Sequence, residues 1–216
     1  MNNGWLDYCV PQIYWEIGNK AADYDTLIRW WNQHASRRPL IIGEDVERTV
    51  KATDPRNPSQ HQMPAKFRLH EQLPGVKGTV LWYAKAAVDD IGGYGTTLRN
   101  YYWRRPALQP DMSFIDKKTT RKVRKLQTVW MDKDYLLSWS APKGKDWRNT
   151  ATRYVVYRFA KGERVNTDDA SKIVAITPNT FYVLPYRGGH QKYTYVVTAL
   201  NRLQNESKAK KKSLRL

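Results

Sequence analysis

The chain has a single cysteine, Cys9, in 216 residues, so neither an intrachain disulfide nor a multi-cysteine zinc site can form. Cys9 lies in an apolar segment with no histidine near it in sequence, and reads as an inert thiol. No apolar run approaches the ~20 residues that span a bilayer, so no transmembrane segment is expected. The opening residues Met1-Asn2-Asn3-Gly4-Trp5 lack the basic and apolar regions of an export signal. His34, His61, His70 and His190 show no metal-ligand spacing, and no metal site is expected. Gly92-Gly93-Tyr94-Gly95 is not the dinucleotide fingerprint, and no Walker sequence is present. No cofactor is expected.

Acidic residues are scarce in the second half. Residues 1–110 hold 14 Lys+Arg against 11 Asp+Glu, a net +3; residues 111–216 hold 23 against 9, a net +14. The basicity of the chain therefore belongs to its second half. Such charge attracts anionic polymers of any kind and fades as salt screens it. Lys208-Ala209-Lys210-Lys211-Lys212 reads as a solvated edge that discourages strand pairing. No nucleic-acid motif accompanies the charge, so no specific nucleic-acid partner is expected. Nothing in the sequence sets an oligomeric state. With 9 Trp and 14 Tyr the chain has ample material for buried cores, and disorder is excluded despite a mean hydropathy of −0.74.

The two halves differ in periodicity. In the first, Leu6–Trp15 is an extended apolar run, and Tyr24, Leu27, Ile28, Trp31 and Ala35 follow at helical spacing behind Asp23 as N-cap. Pro39–Gly43 is a second buried-strand pattern. The polar stretch Thr53–Gln62 reads as a loop leading to Pro64, in the first turn of a helix with the apolar column Ala65, Leu69 and Leu73. Gly78–Ala84 is a third buried strand, and a last helix runs from Tyr94 to Trp103. Strands without polar alternation, each followed by a helix, predict a parallel sheet covered by helices, an α/β arrangement. Residues 111–119 read as a linker. The second half shows short alternating runs at Arg124–Trp130, Tyr135–Trp139, Arg153–Phe159, Lys172–Ile176, Tyr193–Leu200 and Lys208–Leu216. Six or seven short strands in ~100 residues predict an all-β antiparallel sandwich of immunoglobulin type.

Leu137–Pro142, Tyr154–Arg158, Leu184-Pro185 and Tyr193–Asn201 resemble a fibronectin type III module over residues 120–216. The resemblance implies Trp139 and Tyr157 between the sheets, and Tyr193 as a corner tyrosine bonded back to the backbone. Residues 1–110 are similar to the C-terminal part of the glycosyl-hydrolase-like ten family, TIM-barrel proteins related to clan A glycoside hydrolases, and closest to versions from Bacteroides-like bacteria. The residues that carry this are Pro11–Gly18, Tyr24–Trp31, Ile41–Val46, Gly78–Lys85 and Tyr101-Tyr102-Trp103. The resemblance implies the last three strand–helix units of a partial (β/α)8 barrel, hence a fragment that is inactive alone. It implies a longer protein that is exported or lies in the cell envelope and acts on a polysaccharide or peptidoglycan glycan.

It also implies where chemistry would sit. A retaining glycosidase needs two carboxyl groups ~5 Å apart. The seventh-strand nucleophile position falls at Glu44, with Asp45 and Glu47 beside it reading as loop or capping carboxylates. Glu16, after the sixth strand, is a weaker candidate. Gln12, Tyr14, Trp15 and Trp82 would contact sugar, and Lys85 an anionic sugar group. The alternative is a non-catalytic glycan-binding or scaffold protein, and behind it a basic nucleic-acid binder that rests on charge alone.

Overall fold

A computed structural model describes residues 1, 3–35 and 38–216, which divide into two units, Met1–Arg104 and Arg105–Leu216.

In the first unit, helix α1 (Tyr24–His34) starts where the spacing predicts, because the Asp23 carboxylate accepts from Thr26 N–H and closes its first turn. Strand β1 (Leu40–Asp45) follows, then α2 (Val46–Lys51). The stretch expected as a loop forms a small hairpin, β2 (Thr53–Asp54) with β3 (Asn57–His61). The Asp54 side chain makes the turn by accepting from Arg56 N–H at 2.9 Å. Helix α3 (Met63–Gln72) carries Pro64 in its first turn. Strand β4 (Val76–Trp82), α4 (Ala84–Val88) and α5 (Tyr94–Thr97), which a π turn extends to Tyr102, complete the unit.

Strands β1 and β4 pair in parallel, and residues 9–12 add a third parallel rung through Cys9–Leu40 and Gln12–Gly43. Gly43 permits this close approach: a Cβ there would sit 3.1 Å from the Pro11 carbonyl oxygen. Alternation divides the residues between two faces. Ile13, Leu40 and Ile42 pack against Tyr24 and Ile28 of α1 and Leu69 of α3. On the opposite face Val80 and Trp82 stand 49% and 56% exposed, so the third strand expected as buried is covered on one side only. Helix α3 differs from its expected single apolar column. Leu69 and Leu73 join the core around Leu40, Met63 and Phe67 join a second core with Val46, Tyr94 and Leu98, and Lys66 is buried as well. Ala65 is only half-buried.

The second unit has two antiparallel sheets. One is three-stranded, in the order β5 (Arg124–Met131), β6 (Asp134–Ser140), β9 (Phe181–Val183). The other is four-stranded, in the order β11 (Lys210–Arg215), β10 (Lys192–Leu200), β7 (Arg153–Ala160), β8 (Ile173–Thr177). Leu137, Trp139, Tyr154, Val156, Tyr195 and Val197 meet between the sheets. Trp139 fills this core against Tyr154, ring centroids 5.4 Å apart. Tyr157 does not join it. It lies one residue out of phase, among Val155, Phe159 and Val196 on the outer face, and donates to Glu206 at 2.7 Å. The Tyr193 hydroxyl bonds the Gln191 side chain rather than the backbone, and the Arg158 guanidinium lies over its ring. The lysine-rich β11 is an edge strand, and its charges oppose further pairing.

Residues 111–119, expected as a linker, are tied to the 201–205 turn. Met112 N–H donates to the Leu203 carbonyl at 2.8 Å, and the Asn201 and Asn205 side chains donate to the carbonyls of Lys118 and Asp116.

Candidate active-site face of the first unit

The parallel strands all end on one side of their sheet, where Tyr14, Trp15, Glu16, Glu44, Asp45, Trp82 and Tyr83 are gathered. In-register pairs of β1 and β4 alternate in direction: Ile42–Thr79 and Glu44–Leu81 turn toward the helices, Gly43–Val80 and Asp45–Trp82 away from them. Gln12 and Tyr14 share the second direction, because Ile13 between them is buried on the helix side. Tyr14 stacks on Trp82 with centroids 6.4 Å apart. Burial, then the charge of Asp45, raise the Tyr14 hydroxyl above its ordinary range. The open face therefore presents Gln12, Tyr14, Asp45, Val80 and Trp82. Asp45 also serves as N-cap of α2, accepting from Arg48 N–H at 2.9 Å.

Glu44 lies on the other side. It is fully buried and both carboxylate oxygens are engaged. Lys66 Nζ lies 3.1 Å from Oε2, His70 Nε2 lies 3.3 Å from Oε1, and the Tyr24 hydroxyl donates to Oε1. The Lys66 ammonium also donates to Thr49 Oγ1 at 3.0 Å and sits 4.2 Å from the Tyr24 ring centroid. His70 meets the Tyr24 hydroxyl at 2.7 Å and, through Nδ1, Thr79 Oγ1 at 3.1 Å. Burial works against a charge on Glu44, but the Lys66 ammonium and the His70 and Tyr24 hydrogen bonds outweigh it and hold the carboxyl below its ordinary range. Burial and the same carboxylate push Tyr24 well above its own range, and Tyr94 upward too. The cluster joins β1, α1, α2, α3 and β4 behind the sheet, where Glu44 is fully buried.

Glu16 is half-buried in the turn after residues 9–15. The Asn19 side chain donates to it at 2.7 Å and is the main reason its carboxyl sits below the ordinary range. Trp15 is 39% exposed. Lys85 pairs with Asp89 one turn along α4, and both are exposed. Cys9 is half-buried, and burial raises its thiol. Gln62, which the sequence did not single out, locks the Glu16–Gly18 turn by accepting from Ile17 N–H at 2.7 Å and donating to the Ile17 and Thr53 carbonyls. Among the described residues no group of three or more His, Cys, Asp or Glu is placed to hold a metal. No described helix is long and apolar enough to cross a membrane.

No protein-family model matches the chain. Glycosyl hydrolase YngK of Bacillus subtilis (strain 168) is 34% identical over 217 residues, covering 99% of this chain and 42% of that protein. Glycosyl hydrolase DigH of Escherichia coli (strain K12) is 26% identical over 125 residues, covering 55% of this chain and 25% of that protein. A solved structure titled "Structure of FN3tt mut" aligns with 44% of this chain and 93% of its own at 21% identity, with a TM-score of 0.33. The chain is thus similar to glycosyl hydrolases, and spans less than half the length of the curated relatives it matches.

Proposed function

We propose that the first unit is the C-terminal part of a TIM-barrel glycoside hydrolase resembling the glycosyl-hydrolase-like ten family, and that the second unit is its accessory fibronectin-like module. The observation that carries this reading is the open face at the C-terminal ends of two parallel strands and the bridged segment 9–12, with Tyr14 and Trp82 stacked beside Gln12 and Asp45, in a chain 34% identical to a glycosyl hydrolase. Barrel enzymes place their sites at that end. Tyr14 and Trp82 offer flat apolar surfaces to a sugar ring, and Gln12 an amide for its hydroxyls. Asp45 is the carboxylate that shares this face, and Glu16 follows at the end of the neighbouring segment. Glu44 acts behind it as a positioning residue, fixing the strand end on which Asp45 stands. The substrate is a bacterial or dietary glycan, and the longer protein works outside the cytoplasm or in the envelope, where such polymers lie.

A second reading, a non-catalytic glycan-binding platform, is favoured by one observation: Glu44 is enclosed and Asp45 is occupied as a helix cap.

The test compares this chain with a form extended upstream in the same reading frame, on aryl glycosides and on peptidoglycan glycan. The extended form should turn over substrate, the 216-residue chain should not, and Trp82→Ala should lower kcat/KM of the extended form by at least about tenfold. Turnover by the 216-residue chain, abolished by Asp45→Asn, would overturn the part-barrel reading. Binding without turnover in the extended form would favour the platform.

A further inference from the structure

The positive charge of the second unit reads from the sequence as diffuse. The structure gathers part of it in one cleft. At one end of the sandwich, where β5 and β7 finish and β10 starts, the 184–191 loop crosses between strands. Gly188 and Gly189 both take positive φ, 80° and 78°, a conformation that favours glycine and lets the loop double back. The Leu184 N–H is bonded to the Tyr135 carbonyl at 2.8 Å, and Gln191 exchanges both main-chain hydrogen bonds with Leu216, at 3.0 and 2.9 Å. The loop is therefore anchored at both ends.

On one flank lies a cleft of about 440 Å³ lined by Arg158, Arg187, His190, Gln191 and Tyr193. Arg158 is held with its guanidinium 5.2 Å from the Tyr193 ring centroid. Among the described residues the Arg187 and His190 side chains have neither an ion-pair nor a hydrogen-bond partner. On the other flank is an aromatic group. Trp130 stacks on Tyr135 at 4.8 Å, and Tyr186 meets both rings edge-on at 5.0 and 5.5 Å. Trp130 is 53% exposed and Tyr186 44%, although both rings are held by their neighbours. Tyr186 and Arg187 are consecutive, so the aromatic surface and the cations are carried by the same loop.

Rigid exposed rings beside guanidinium groups without acidic partners match a ligand with two parts: an apolar flat face and an anion. A sugar ring offers C–H faces to the indole, and a carboxylate or phosphate farther along the same saccharide meets the arginines through charge-assisted hydrogen bonds. We propose that this end of the sandwich is a binding site for an acidic saccharide, with Trp130 and Tyr186 receiving the ring and Arg158 and Arg187 the anion. The site rests on the glycan reading for its ligand class, but it is separate from the strand-end face and does no chemistry.

The experiment is calorimetric titration of the whole 216-residue chain, at physiological salt, with four probes: a hexuronate oligosaccharide, a sugar-phosphate oligomer, a neutral gluco-oligosaccharide of equal length, and inorganic phosphate. At least one acidic saccharide should bind, distinguishing carboxylate from phosphate as the anion, and the last two probes should bind at least about tenfold more weakly. Arg187→Ala, an exposed change that leaves the fold intact, should weaken binding by about tenfold, and so should Trp130→Ala. Lys211→Ala on the edge strand should leave binding unchanged. Equal affinity for the neutral oligosaccharide, full retention in Arg187→Ala, binding of inorganic phosphate as tight as that of the saccharides, or no binding at all would each overturn the proposal. Loss of this site would leave an active extended enzyme untouched, and failure of the hydrolase reading would leave this binding in place.

Discussion

Replacing Lys66 with methionine removes the ammonium that faces Glu44 while keeping most of the buried side-chain volume. At the 3.1 Å separation of this pair and an effective dielectric constant near 20, the attraction lost is about 5 kcal/mol. The hydrogen bond to Thr49 adds about 1 kcal/mol, and the desolvation cost of the lysine itself is recovered. Stripping one partner from a buried ion pair costs about 3–5 kcal/mol in general, a large share of the ~5–15 kcal/mol that holds a domain together. Glu44 has one escape, which is to take up a proton. From an ordinary value of 4.5 that costs about 3.4 kcal/mol at pH 7 and about 0.7 kcal/mol at pH 5. The variant should therefore lose about 3 kcal/mol at pH 7 and regain most of it by pH 5. Urea denaturation read by hydrogen exchange in peptides of β1 and α3 isolates the first unit in the whole chain. Glu44→Gln with Lys66→Met should be far more stable than the sum of the single changes, because neither charge is left alone. A Lys66→Met chain as stable as the parent at pH 7, or a double variant as weak as that sum, would refute the reasoning.

Four further outcomes follow from the geometry. The Glu44 carboxyl is depressed in the folded chain, so the unfolded state binds more protons below pH 4.5; hydrogen exchange should show the first unit weakening as pH falls through that range, with its full contribution present above it. Tyr24 is raised, so its contribution is complete below pH 10 and should drain away as pH rises beyond, which alkaline denaturation of a Tyr24→Phe variant would isolate. Gly43→Ala should destabilise the first unit by about 1–3 kcal/mol, since the new methyl meets the Pro11 carbonyl at 3.1 Å, and a melt that does not move would count against the strand packing described. In the sandwich, Trp139→Ala should cost about 3–5 kcal/mol by denaturant titration. Trp139→Phe should cost much less, because among the described residues the indole N–H has no hydrogen-bond partner to lose.

Several elements were legible in the sequence because the signal is local. Asp23 followed by Tyr24, Ile28 and Trp31 specifies where α1 starts and which side it buries. Pro64 marks the start of α3. Alternation in Tyr135–Trp139 and Tyr193–Leu200 marks sandwich strands, and of the seven only the short β9 had no run of its own to announce it.

What the tertiary structure decided is which way side chains face and what they meet. Ile41 and Ile42 are both apolar, so β1 shows no alternation from which to tell that Glu44 turns to the helices and Asp45 to the open face. Tyr154 and Tyr157 are equally good core residues by composition, and only the register of β7 assigns Tyr154 to the space between the sheets. Lys66 and His70 look like the polar face of α3, since a buried cation is expected only where a partner waits. That partner, Glu44, is 22 residues away along the chain and meets Lys66 only when β1 and α3 pack. Asp45, Gln62 and the Arg158–Arg187 cleft arise in the same way. Each is built from residues whose own neighbourhoods are unremarkable, and their roles come from long-range juxtaposition, which no local periodicity encodes.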